Sequence, residues 1–283
     1  MNNDQITTLW LESQRSEKTR EAYAFHSLKL AVFLKDKPYG NVTLRDLQRF
    51  QRHLERAKTR HGKPFAPKTR QSILVAVKSL FSFAAEEGLI QANPARRLAI
   101  EKCQDGRAAR TLSREEIERL IAATEKPRDA LILQLLFYSG ARVSELVALR
   151  WQDVQPNDAM GGQIALFGKG GKNRTVGIKR ELYESLLTYR EEIDGESKGR
   201  VFTSQKAASI SRFQVDRIIK QAARKSGVRW DASAHKFRHA FATEGLKAGA
   251  SLRLIQQDLG HSSLETTQVY LDVNPDDSTS SYL

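Results

Sequence analysis

Four short segments of this chain gather side chains suited to handling a phosphate. Gly140-Ala141-Arg142-Val143-Ser144-Glu145 puts an arginine where a glycine ends one helix and another begins. A helix mouth favours an anion, and a guanidinium there can fork onto two phosphate oxygens. The plainer alternative is a surface Arg142–Glu145 ion pair, which contributes little. Lys169 sits between glycines at a turn, followed by Lys172 and Arg174. From there a lysine can reach into a nucleic acid groove or simply be solvated. His235-Lys236-Phe237-Arg238-His239 places His235 and Arg238 three apart, on one face of a helix. Leu259-Gly260-His261-Ser262-Ser263 runs on to Tyr270. A lone tyrosine at a helix end is more often packing than chemistry. The whole set is two arginines, two histidines, a lysine and a tyrosine, without paired carboxylates or a Ser-His-Asp arrangement. It excludes glycoside hydrolysis and serine acyl transfer and suits a phosphate attacked by a tyrosine.

Two other chemistries fit less well. Gly-Lys-Gly-Gly-Lys lacks the spacing of a nucleotide-binding loop, and a strand rather than a helix is expected after it. His235 and His239, with His261 as a third, have a spacing that zinc could use, but Lys236 stands where a metalloprotease needs glutamate and Arg238 adds positive charge beside the supposed ion. Neither a metal nor a small-molecule cofactor is expected.

The elements that must hold these groups follow from composition and periodicity. The chain has 283 residues, 40% hydrophobic and 28% charged, enough for two cores and too apolar for disorder. Its 46 Lys+Arg exceed 33 Asp+Glu by 13, which calls for a polyanion. The excess is uneven, since residues 1–110 hold 21 basic and 11 acidic side chains, net +10, against 25 and 22, net +3, in 111–283. Double-stranded nucleic acid is the expected partner, and the N-terminal part its main electrostatic contact. The one cysteine, Cys103, excludes an internal disulfide framework. No apolar run is long enough to span a membrane, and a soluble, cytoplasmic protein without a membrane partner is expected.

Residues 3–100 read as four helices. Ile6, Leu9 and Trp10 open the first. Ser16 can cap a second, with Tyr23, Leu28, Leu30, Val32 and Phe33 at helical spacing. Thr43 can cap a third, apolar at Leu47, Phe50 and Leu54 and basic at Arg45, Arg49, Arg52 and Arg56. Pro67 suits the first turn of a fourth. Residues 101–111 lack periodicity and read as a linker. Ser113 with Glu116 forms a capping box, so a second domain begins near 112. Pro127 opens a Leu-rich helix, Gln163–Phe167 and Arg174–Ile178 make a β-hairpin, and helices follow near 180–193, 211–226, 235–248, 251–259 and 263–270.

Taken together, Ala141-Arg142-Val143-Ser144-Glu145-Leu146, His235-Lys236-Phe237-Arg238-His239 and Leu259-Gly260-His261-Ser262-Ser263 ending in Tyr270 resemble the boxes of tyrosine site-specific recombinases, the Xer-type and integrase group in particular. The resemblance implies a mainly α fold in two domains. Residues 1–100 resemble the family's helical, SAM-like core-binding domain, and 112–270 its catalytic domain, mostly helical with a small β-hairpin or sheet. Residues 271–283 form a short acidic tail without a helical apolar pattern, where many relatives carry a further helix that docks into a neighbouring protomer.

The family pattern carries over onto Arg142, Lys169, His235, Arg238, His261 and Tyr270. It implies cleavage and rejoining of duplex DNA through a 3′-phosphotyrosyl intermediate, with no metal or ATP. Tyr270 is then the nucleophile and His235 its general base. Arg142, Arg238 and His261 stabilise charge on the non-bridging oxygens, and Lys169 protonates the leaving 5′ oxygen. Arg70, Lys172 and Arg174 are further candidate DNA contacts. The implied partners are a double-stranded recombination site and three more protomers, identical or related, as a tetramer on two sites. A type IB topoisomerase and a catalytically silent DNA-binding regulator are the alternatives. The complete residue set argues against the regulator.

Overall fold

A computed structural model describes residues 1–35, 37–59, 61–101, 111–168, 173–193, 199–204, 207–228 and 231–260. The chain divides into two compact units, Met1–Asp105 and Gly106–Leu283. Among the described residues no helix is long and apolar enough to cross a membrane.

The first unit is built from α1 (Asn3–Glu12), α2 (Glu17–Leu34), α3 (Leu44–Arg56) and α4 (Pro67–Glu86). Its helix starts are locally encoded. Thr43 accepts from the Asp46 N–H while Asp46 accepts from the Thr43 N–H, and Pro67 lies in the first turn of α4. Ser16 precedes α2 but makes no side-chain cap bond. Trp10 is fully buried, stacks on Tyr23 with ring centroids 4.9 Å apart and donates to Ser79 Oγ at 3.2 Å. It packs with Ile6, Leu30, Leu47, Phe50, Ile73 and Phe81. The expected core face of α2 is partly wrong. Leu30 and Leu34 are buried, whereas Leu28 and Val32 are exposed with Phe25. That helix is apolar on nearly every side, so periodicity could not choose the face that meets α1 and α4.

The second unit surrounds α6 (Pro127–Tyr138), whose Leu131, Ile132, Leu133, Leu135 and Leu136 are all buried. Around it lie α5 (Arg114–Ala122), the single turn α7 (Val143–Leu146), α8 (Arg180–Glu192), α9 (Arg212–Ser226), α10 (Ala234–Lys247) and α11 (Leu252–Leu259). Ser113 and Glu116 form the expected capping box of α5. The sheet has three strands rather than a hairpin's two. The strands β1 (Val154–Asn157), β2 (Gly161–Phe167) and β3 (Asn173–Lys179) are antiparallel in that order, with Ile164 opposite Val176 and Leu166 opposite Arg174. Ile164, Leu166, Val176 and Ile178 are buried in the unit's core. The molecule is thus mainly helical, with one small sheet. The expected helix at 263–270, the tail 271–283 and Cys103 lie outside the described residues.

Candidate active site

The site is built where the end of α6, the start of α10 and the end of α11 meet. Ser139 closes α6 by donating to the Leu135 carbonyl at 2.5 Å, and the chain then reverses at Gly140 with φ +58°. A side chain there would be strained by that φ and would also put its Cβ 2.7 Å from Phe241 and 2.9 Å from Leu259, so only glycine lets the turn lie this close to α10 and α11.

Two residues on, Arg142 is the N-cap of α7. The expected Arg142–Glu145 pair exists, but it is not a surface pair. The Glu145 side chain is 1% exposed and that of Arg142 41%. Glu145 Oε2 accepts from the Arg142 backbone N–H at 2.8 Å and Oε1 accepts from Arg142 Nη1 at 2.9 Å. Each oxygen also takes one arm of Arg174, at 2.9 Å. Burial alone would raise this carboxyl, but the hydrogen bonds and charge of Arg174 and Arg142 outweigh it and hold it at about 2. Glu145 is therefore an anion that fixes the root of Arg142 and leaves part of its guanidinium exposed.

Arg174 was expected to touch DNA, and here the structure differs. Its side chain is 7% exposed, and besides the Glu145 fork its Nε donates to the Asp258 carbonyl at 2.5 Å. Arg174 shares strand parity with the buried Val176 and Ile178, so the alternation of β3 turns it inward. Burial raises the neighbouring Asp258 carboxyl above its ordinary value, with Arg174 pulling the other way.

Arg238, in α10, is 3% exposed and bridges both sides of the site. Its Nη1 donates to the Gly140 carbonyl at 2.6 Å and its Nη2 to the Leu259 carbonyl at 2.5 Å. His235 lies one turn earlier on the same helix and is exposed. Its Nε2 is 2.7 Å from Nε2 of His239, so one ring donates and the other accepts. Two imidazoles on a tetrahedral zinc would hold their nitrogens about 3.3 Å apart. The observed pair is hydrogen-bonded more closely than that. Among the described residues no group of three or more His, Cys, Asp or Glu is placed to hold a metal. Lys236 turns away to pair with Asp231.

The structure thus brings Arg142 and Arg238 to the same turn through Gly140 and sets His235 on the Arg238 face of α10. Lys169, Lys172, His261 and Tyr270 lie outside the described residues. Arg70 is half-buried in the first unit, beside a small cavity it shares with Glu55 and Glu101. Two features escaped the sequence reading: the burial of Glu145 and the inward turn of Arg174, for which strand parity was the available signal. The spacing of His235 and His239 was read as one that zinc could use, and the structure has the two rings hydrogen-bonded to each other.

Residues 110–277 match the model of the phage integrase family, and residues 6–88 that of the phage integrase N-terminal SAM-like domain. The chain belongs to the phage integrase family of tyrosine recombinases. Tyrosine recombinase XerC of Xanthomonas campestris pv. campestris (strain B100) is 31% identical over 269 residues, spanning 94% of this chain and 81% of that protein. Tyrosine recombinase XerD of Mycobacterium tuberculosis (strain CDC 1551 / Oshkosh) is 34% identical over 212 residues, 70% and 67% of the two chains. Among solved structures, a lambda integrase tetramer bound to a Holliday junction superposes with a TM-score of 0.75 at 20% identity, covering 97% of this chain and 77% of that one. As a tyrosine site-specific recombinase, this protein is an enzyme that cleaves and rejoins DNA.

Proposed function

We propose that Tyr270 attacks the scissile phosphate of a duplex recombination site, with Arg142, Lys169, His235, Arg238 and His261 as its catalytic partners. The observation that carries this reading is the bracing of the two arginines. Arg142 is rooted on a buried carboxylate and Arg238 is pinned between the Gly140 and Leu259 carbonyls. Donors fixed before the reaction stabilise a transition state without reorganising, which is where electrostatic catalysis gains most.

The reaction balances without a redox partner or external energy. The Tyr270 oxygen forms a bond to phosphorus and gives up its proton towards His235. The bond from phosphorus to the 5′ oxygen breaks, and that oxygen takes a proton from Lys169. A free phenol, with a pKa of about 10, is rarely ionised near neutrality, hence the need for a base. Charge building on the non-bridging oxygens meets the two guanidiniums and His261. Attack by a partner strand's 5′ hydroxyl on the phosphotyrosine runs the same steps backwards, conserving the bond energy.

Residues 1–100 serve as the core-binding domain, 101–111 as the linker and 112–270 as the catalytic domain. The first domain supplies non-specific grip. On α3, Arg45, Arg49, Arg52 and Arg56 are all exposed and, at 100° per residue, fall within roughly 60° of arc, a stripe suited to a row of phosphates. The related lambda integrase was solved as a tetramer on a Holliday junction, which supports four protomers acting on two sites. The test is strand exchange between two labelled duplexes carrying one site, with protomers counted on the junction intermediate. Exchanged strands with four protomers are expected, whereas relaxation of supercoils by a single protomer without exchange would overturn the reading.

A further inference from the structure

Arg174 occupies a position that neither DNA contact nor simple core packing accounts for. It is the second residue of β3, and its fork covers both oxygens of Glu145 while its Nε reaches the Asp258 carbonyl near the end of α11. Arg238 holds the very next carbonyl, that of Leu259. Two arginines from different elements therefore clamp successive carbonyls at a helix C-terminus, where cations are favoured. Gly260 follows with φ +62°, and a Cβ there would come within 3.1 Å of the Arg174 side chain, so the glycine makes room for it. In the sequence, His261 is the next residue.

The arrangement around Glu145 is asymmetric. Arg174 is 7% exposed and makes two bonds to the carboxylate, whereas Arg142 is 41% exposed and makes one through its side chain. Arg174 meets the charge requirement of the buried anion from the inside. Without it, that requirement would fall on Arg142, whose guanidinium would be drawn inward, since a buried carboxylate is costly unless paired.

We propose that Arg174 is a positioning residue for cleavage: by neutralising Glu145 from within it leaves Arg142 directed outward, and by holding the Asp258 carbonyl it ties β3 to the α11 end that leads to His261. The proposal rests on the reading of Arg142 as a phosphate donor. A lysine at 174 keeps the charge but cannot fork onto two oxygens and reach a carbonyl at once.

The test is a double-mutant cycle on the full-length protein with Arg174→Lys, Arg142→Ala and both together. Equilibrium binding to a duplex site, thermal unfolding, and single-turnover formation of covalent adduct on a nicked duplex at saturating protein are measured for each. Displacing a catalytic group by an ångström costs up to a hundredfold, so Arg174→Lys should slow adduct formation at least about tenfold while site affinity is held. In the Arg142→Ala background the same change should cost less than about twofold, because its route to the phosphate is gone. Full multiplication of the two losses, or wild-type cleavage by Arg174→Lys, overturns the proposal. If Arg142→Ala alone cleaves normally, the reading of Arg142 fails, and the proposal with it. Should Arg174→Lys not fold, Arg174→Gln takes its place in the same cycle. It keeps hydrogen-bonding groups but no charge, and the same loss and the same coupling to Arg142→Ala are required of it.

Discussion

Replacing Arg238 with alanine should damage both the fold and the chemistry, by amounts that can be separated. The buried guanidinium donates to two carbonyls, at 2.6 and 2.5 Å, that belong to different segments of the site. Hydrogen bonds from a charged donor contribute about 1.5–3 kcal/mol each, so losing both should destabilise the second unit by about 3–6 kcal/mol. For a unit of this size that lowers its melting temperature by on the order of 10 °C. Cleavage should fall by about a hundredfold to a thousandfold even where the protein is fully folded, the scale for removing a fixed transition-state donor. Arg238→Lys, which can reach only one carbonyl, should recover part of the stability and little of the rate. The assays are circular dichroism melts and single-turnover adduct formation on a nicked duplex at a temperature below the variant's transition. An Arg238→Ala protein that melts with the wild type and cleaves within about tenfold of it would refute both halves of the reasoning.

Gly140→Ala should cost about 1–3 kcal/mol from its positive φ alone, plus the clash with Phe241 and Leu259, and should slow cleavage by moving Arg142; wild-type melting and rate would contradict this. Glu145 is held at about 2, below its ordinary 4.5, so it contributes stability that is fully present above pH 4.5 and is lost as pH falls through about 2. That contribution is on the order of 3 kcal/mol, and acid titration of Glu145→Gln should show a flatter stability profile over this window. Each alanine at Arg45, Arg49, Arg52 or Arg56 should reduce the slope of log affinity against log salt by about 0.9 if it removes one phosphate contact, and unchanged slopes would take α3 off the DNA.

The sequence was most legible where the physics is local. The capping boxes at Thr43 and Ser113 and the proline starts of α4 and α6 depend on residues within one turn, and each appears where its spacing puts it. The strand β1 was invisible because Val154-Gln155-Pro156-Asn157 has neither alternation nor β-rich composition and becomes a strand only by pairing with β2. For the candidate site, spacing and resemblance pointed to Arg142, His235 and Arg238, and the structure places them at the Gly140 turn and on α10. What could not be read is how deeply Glu145 is buried, since that follows from α6, α9 and β2 packing against α7 and from the long-range reach of Arg174. Its inward direction was implicit in the parity it shares with Val176 and Ile178, and the adjoining run of basic residues masked it.

The most direct test of the account is to find where DNA becomes attached to the protein. A nicked duplex that loses the short fragment bearing the freed 5′ hydroxyl on cleavage should trap the wild-type chain as a covalent adduct, and peptide mapping should place the nucleotide on Tyr270. Tyr270→Phe should bind the same duplex with nearly unchanged affinity and form no adduct. Attachment at another residue, or adduct formation by Tyr270→Phe at the wild-type rate, would contradict the assignment of the nucleophile and the mechanism built on it.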